Sequence, residues 1–212
     1  MNIIPDDIQK YAENCSSSEP DILVALNRET YTDFLFPRML SGHLQGRFLS
    51  MISALVKPRR ILEIGTFTGY SAICLAEGLD EDGFLYTIEL NDENETKIVE
   101  YFKKSGFEKK IKLHFGDAME VIPSFDETFD LIFLDADKEN YLNYYNLVFD
   151  KLRQGGIILA DNTLWSGKVL DLSLMDKETE GIREFNEAVT QDSRVENVLL
   201  TIRDGIMMIR KK

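Results

Sequence analysis

Asp135, Lys138, Asp161 and Asn162 form a set that can bind a cation and move a proton. Carboxylate and amide oxygens, with no cysteine or histidine among them, suit Mg²⁺ or a similar hard divalent ion that keeps open water positions. A lysine beside such an ion has its ammonium form disfavoured and can act as a general base, although nearby acids work against that. The start of a helix gives Lys138 no support from the macrodipole, so its position calls for another reason. A second set lies upstream, where Ile61-Leu62-Glu63-Ile64-Gly65-Thr66-Phe67-Thr68-Gly69-Tyr70-Ser71 joins a β-rich run to a helical pattern through two glycines. A strand, a glycine turn and a helix N-terminus make a cradle for a nucleotide-type ligand. Gly65 is expected to let the backbone approach that ligand, and Gly69 to let the turn pack tightly before the helix. The spacing is E-x-G-x-x-x-G rather than G-x-G-x-x-G, and an acid beside the loop suits a ligand with a positive end better than a pyrophosphate.

These residues gain meaning from the elements that must carry them. Apolar spacing predicts helices over 5–15 and 21–36, joined by a polar segment, and a third over 43–56 that Lys57-Pro58 ends. Strand-like runs at 61–64, 84–89, 111–115, 131–134 and 156–160 then alternate with helical patterns at 70–78, 92–104, 118–122, 139–152 and 177–188. Such alternation implies a parallel sheet with helices on both faces. Runs 195–202 and 206–209 flank Arg203-Asp204-Gly205 and read as an antiparallel hairpin closing the sheet. The fold class is therefore α/β: a Rossmann-like, seven-stranded, mostly parallel sheet with an antiparallel C-terminal hairpin and an N-terminal helical cap. We expect one domain over 1–212, with 1–57 as cap and 58–212 as core.

In an open sheet of this kind, ligands bind at the carboxyl ends of the strands. The second strand ends in Glu89, which can accept hydrogen bonds from ribose hydroxyls. The third is followed by Asp117 and Ala118, placed to flank an adenine, although Asp117 equally fits a helix N-cap. The fourth and fifth end in Asp135 and in Asp161-Asn162, which adjacent parallel strands bring side by side.

Composition narrows the options. With 212 residues, 44% hydrophobic and 29% charged, the chain reads as an ordinary globular protein. A net charge of −13 argues against nucleic-acid binding and against an anionic membrane surface, and suits a site that holds a cation. No apolar run approaches the roughly 18 residues of a membrane span, and no signal peptide is visible, so the expected location is the cytoplasm. Cys74 reads as a small core residue, and no disulfide with Cys15 is expected.

Three stretches carry a family resemblance: Leu62 to Ser71, Phe133-Leu134-Asp135-Ala136-Asp137-Lys138-Glu139-Asn140-Tyr141, and Asp161-Asn162-Thr163-Leu164-Trp165-Ser166-Gly167. From about Tyr31 onward the chain resembles class I S-adenosylmethionine-dependent methyltransferases, and most closely the cation-dependent O-methyltransferases of the catechol and caffeoyl-coenzyme A type. The resemblance implies that Met39, Leu40 and Ser41 contact the cofactor from the cap. Glu63, Gly65, Thr66 and Ser71 would hold its methionine part, Glu89 its ribose, and Asp117 with Ala118 its adenine. It implies a metal, Mg²⁺ foremost with Ca²⁺ or Mn²⁺ as alternatives, on Asp135, Asp161 and Asn162. Asp135 and Asp137 would stand near the cofactor, with Asp137 near its amino group, and Lys138 would be the base. Asp135 thus counts as catalytic beside Lys138. It further implies a homodimer and a small phenolic substrate with two adjacent hydroxyls. Lys138, Tyr141 and Trp165 are the expected substrate contacts, with Tyr144 weighed as helix packing. Tyr31, Phe34 and Phe36 are expected in the core or a dimer contact. Two other readings compete: a non-catalytic S-adenosylmethionine-binding protein, against which the intact polar set argues, and a nicotinamide-dependent oxidoreductase, against which Glu63 and the missing G-x-G-x-x-G argue.

Overall fold

The helical periodicities at the start of the chain form α1 (Asp6–Asn14), α2 (Asp21–Asp33) and α3 (Gly42–Val56) in a computed structural model that describes residues 4–212. Helix α2 stops three residues before the expected 36. Pro37 disfavours helical backbone at Phe36, and Phe34 is extended, with its ring edge-on to Phe67 at 5.5 Å. Tyr31 and Phe36 are exposed, so neither belongs to the core, and only the dimer-contact half of the expectation stands for them. Helix α3 ends as expected before Pro58, with Lys57 left-handed at φ 49°.

The alternation that follows comprises β1 (Arg60–Ile64), α4 (Tyr70–Ala76), β2 (Phe84–Glu89), α5 (Glu95–Lys104), β3 (Ile111–Phe115), α6 (Ala118–Val121), β4 (Phe129–Leu134), α7 (Tyr141–Phe149), β5 (Leu152–Ala160) and α8 (Lys177–Gln191). Strands β6 (Val195–Leu200) and β7 (Ile206–Lys211) complete one seven-stranded sheet ordered β3-β2-β1-β4-β5-β7-β6. Strands β1 to β5 are parallel, whereas β7 runs antiparallel to both β5 and β6. The hairpin is present, but its second strand lies inside the sheet and its first forms the edge. Its turn is also longer than two residues, with Arg203 and Gly205 both at positive φ.

Alternation along the strands separates two cores. Leu62, Ile64, Ile132, Leu134 and Ile158 face α7 and α8, where Tyr145, Val148, Ile182 and Phe185 are buried. Ile61, Leu131, Phe133 and Leu159 face the other side, under α4, α5 and the cap residues Leu23, Leu26 and Leu49. Burying each such leucine contributes roughly 1.5–3 kcal/mol. Among the described residues no helix is long and apolar enough to cross a membrane.

Chain order reverses at β1, which pairs with β2 on one side and β4 on the other. A crevice opens there at the carboxyl ends. Gly65 has a further reason to be a glycine. Its φ is 99°, and a Cβ on it would lie 2.0 Å from the backbone carbonyl oxygen of Asp135. The glycine therefore lets β1 and β4 close against each other, while its own backbone also borders the crevice. Gly69 matches the packing expectation: an added Cβ would lie 2.5 Å from the Phe102 ring. Gly65→Ala should destabilise the fold by about 3 kcal/mol or more, through strain plus collision with backbone. Gly106→Ala, at φ 81° with open space around it, should cost only about 1 kcal/mol. Urea denaturation of the two variants checks the contrast.

Candidate active site

A cavity of about 970 Å³ occupies the crevice. Strand ends supply its floor through Gly65, Thr66, Glu89, Asp135 and Asp161. Loops that follow them add Asp117, Ala118, Asp137, Lys138, Asn162 and Trp165. Met39, Leu40 and Ser41 come down from the cap, and Ser71 from the first turn of α4. Of the residues expected at the site, only Glu63 and Tyr141 do not line this space.

In the half nearest β1 and β2, Glu89 closes the glycine loop. Its Oε2 accepts from the Phe67 amide at 2.7 Å and its Oε1 from the Asn91 amide at 3.1 Å. Lone pairs remain on both oxygens for ligand hydroxyls. Asp117 does cap α6, accepting from the Met119 amide at 2.8 Å, while still bordering the cavity. Asp137 accepts from the Tyr144 hydroxyl at 2.6 Å, so Tyr144 belongs to the cavity wall as well as to the helix packing.

Glu63 lies under the loop, fully buried. Strand alternation sets Glu63 opposite to Leu62 and Ile64, toward α4. The Thr87 hydroxyl donates to its Oε2 at 2.6 Å, and Thr66 donates in turn to Thr87 at 2.5 Å. Oε1 is buried without a hydrogen-bond partner; the Ser71 hydroxyl lies near the carboxyl but does not reach Oε1 in bonding geometry. Burial pushes the Glu63 carboxyl up to about 8, the Ser71 and Thr87 hydroxyls pull it back, and the charges of Asp135 and Glu89 raise it further. Glu63 thus supports the cradle from below and does not itself line the cavity.

At the ends of β4 and β5, Asp135 and Asp161 are neighbours, and Asp161 is almost completely buried. Burial first, and the facing Asp135 second, raise its carboxyl. The repulsion is met by Lys138, itself buried, whose Nζ donates to Asp135 Oδ1 at 3.0 Å and to the Tyr141 hydroxyl at 2.7 Å. Tyr141 is wholly buried and donates on to the carbonyls of Asp161 (3.0 Å) and Leu134 (3.2 Å). It therefore fixes Lys138 from behind instead of touching a substrate, which corrects that expectation. Asn162 has a left-handed backbone, φ 58°, and its Nδ2 reaches Asp204 Oδ2 at 3.4 Å, which leaves the amide oxygen free. The donor set is two carboxylates and one amide oxygen. Among the described residues, no three His, Cys, Asp or Glu side chains gather to hold a metal. The two like charges, one of them buried, nevertheless fit a hard cation between them.

Gln45, Arg203 and Asp204 also belong to the site, although sequence pattern does not single them out. Asp204 accepts from the Ser166 amide at 2.5 Å, and its carbonyl accepts from the Leu164 amide at 2.9 Å. A signal existed for the hairpin pair, because a turn that precedes an antiparallel neighbour of β5 must lie at the carboxyl edge. Gln45 offered a weaker one, as a polar residue four positions before Leu49 on an apolar helix face.

Comparison with known proteins bears on the family and the fold. A family model described as O-methyltransferase matches residues 13–212. Caffeoyl-CoA O-methyltransferase 1 of Nicotiana tabacum is 37% identical over 205 residues, covering 91% of this chain and 85% of the relative. The structure of an SAH-bound methyltransferase from Podospora anserina superposes with a TM-score of 0.90 at 32% identity, covering 99% of this chain and 98% of that one. An O-methyltransferase from Bacillus cereus in complex with SAH gives 0.90 at 28% identity, with 97% of each chain covered.

The raised Glu63 carboxyl has a pH signature. The folded state holds that proton more tightly than the unfolded chain, so the associated stability is full below about 4.5 and is lost as pH rises through about 8. With chelator present and no ligand, Glu63→Gln should gain on the parent chain by a few kcal/mol between those limits. Denaturation midpoints across pH 4.5 to 8 check this, and parallel curves would mean that Glu63 is ionised in the fold.

Proposed function

Because the chain belongs to the O-methyltransferase family, we propose that it transfers the methyl group of S-adenosylmethionine to one hydroxyl of a vicinal phenolic diol, with a divalent cation bound beside the acceptor. The observation that carries the reading is the placement of Lys138. The ammonium that pairs with Asp135 has no lone pair; to accept a proton, Lys138 must be in its neutral form, with two hydrogens and one lone pair. Asp135 and Tyr141 take two donated hydrogen bonds from Nζ, which leaves the lone pair for the cavity that Lys138 lines. Tyr141 can only accept from Lys138, because its own hydrogen is directed at the Asp161 and Leu134 carbonyls.

Asp135, Asp161 and the Asn162 amide oxygen would hold the cation. When bound, it would supply the positive charge those carboxylates require and the Lewis acidity that makes a chelating diol easier to ionise. S-adenosylmethionine supplies a sulfonium carbon; Glu89 would accept from its ribose hydroxyls and Asp137 would face its amino group. SAH in the Podospora and Bacillus relatives supports that donor. Lys138 takes the proton from the acceptor hydroxyl. The oxygen then bonds to the methyl carbon as the carbon–sulfur bond breaks, and the electron pair stays on sulfur. No covalent enzyme intermediate is needed, so the chain contributes mainly alignment and proton transfer. Trp165, Tyr144 and Phe36 would wall the aromatic acceptor. The tobacco relative's name supports hydroxycinnamoyl thioesters as the first acceptors to try.

The test is a methyl-transfer screen over catechols, flavonoids and hydroxycinnamoyl thioesters, with and without Mg²⁺. Transfer that chelator abolishes is expected; donor binding without transfer to any vicinal diol would defeat the reading. Lys138→Ala should lower turnover roughly 10²- to 10⁴-fold while calorimetry still detects S-adenosylmethionine binding. Asp161→Ala should lose the response to Mg²⁺, and an enzyme equally active in chelator would remove the cation from the scheme.

A further inference from the structure

We propose that Gln45 and Arg203 are positioning residues that aim the Asp161 carboxylate, and that they do so as one relay running from the cap to the end of β5. The proposal rests on the reading that Asp161 holds a divalent cation. Gln45 is fully buried on α3, far in sequence from the strand it serves. Its Nε2 donates to Asp161 Oδ2 at 2.6 Å, and its Oε1 accepts from Arg203 Nη1 at 3.1 Å. A guanidinium offers only donors. The amide carbonyl of Gln45 must therefore face Arg203, and its NH₂ must face Asp161. A flipped amide would set donor against donor on one side and acceptor against acceptor on the other.

Arg203 is itself held. Nη1 also donates to the Ser41 carbonyl, and Nη2 reaches the Arg38 carbonyl at 3.5 Å. Its backbone is left-handed at φ 50°, on the turn between β6 and β7. At the far end, Asp161 Oδ1 accepts from the Asn162 amide at 2.7 Å. Each carboxylate oxygen of Asp161 thus takes one hydrogen bond from the protein and keeps lone pairs for a cation. The relay also joins cap residues Arg38 and Ser41, over one half of the cavity, to the carboxylate at the other half.

The experiment is Mn²⁺ titration followed by the paramagnetic resonance of the free ion, with no acceptor present, on the parent chain, Gln45→Met, Arg203→Met, the double variant and Asp161→Ala. Thermal denaturation in chelator establishes that each is folded; Arg203→Met, at a half-exposed position, serves if the buried Gln45→Met is not. Each single variant should bind Mn²⁺ about 10-fold or more weakly, as expected for groups that orient a ligand. The double variant should be no more than about twofold weaker than Gln45→Met, because the two act through one chain. Parental affinity in both single variants, with Asp161→Ala impaired, would overturn the relay and leave the cation reading standing. Losses that multiply in the double variant would overturn it too, by showing two independent effects. Parental affinity in Asp161→Ala would bring down the cation reading and the relay with it.

Discussion

The mutual repulsion of Asp135 and Asp161 is the constraint around which the site is arranged. Two carboxylates at the ends of adjacent strands, one almost wholly buried, are costly unless positive charge or hydrogen bonds reach them. The chain answers with Lys138 on Asp135 and with Gln45 and the Asn162 amide on Asp161. Lys138 in turn depends on Tyr141, whose hydroxyl is tied to backbone carbonyls of both strands. The pair thus draws on β4, β5, α3 and the start of α7 at once. Under the proposed function, a cation would supply the positive charge that the protein's own groups bring only in part.

Much of this was legible in the sequence for a simple reason. Parallel strands put their carboxyl ends on one edge, so Glu89, Asp117, Asp135 and Asp161 could be placed together without knowing strand order. What remained hidden depended on where side chains turn. Glu63 sits beside the glycine loop in sequence, yet strand alternation sends it beneath the loop into a dry pocket. Tyr141 follows Lys138 by less than one helical turn, which brings it under the lysine instead of beside a ligand. The sequence pattern around Gly65 already asks for a glycine there. The neighbour requiring it is the Asp135 carbonyl, a contact set by strand order and therefore out of reach of local pattern.

The cap shows a similar division. Periodicity found α3 and its end at Lys57, because the apolar face of a helix repeats in sequence. It did not find the task of Gln45, since one buried amide looks like an interruption of that face until its partners are known. The segment after α2 was overextended as helix, and there Pro37 and the Phe34–Phe67 contact prevailed over propensity.

Strand β7 carries a consequence for how the molecule comes into being. It follows β6 in the chain yet lies between β5 and β6, and the turn ahead of it supplies the backbone partners of Thr163 and Leu164. A chain emerging from the ribosome can pair β1 to β5 early. It still lacks the strand that shields the outer side of β5 and the turn that steadies the Asp161 loop. The edge that carries the site is therefore complete only once β7 has been made, and a nascent chain that already has β1 to β5 paired still lacks part of it.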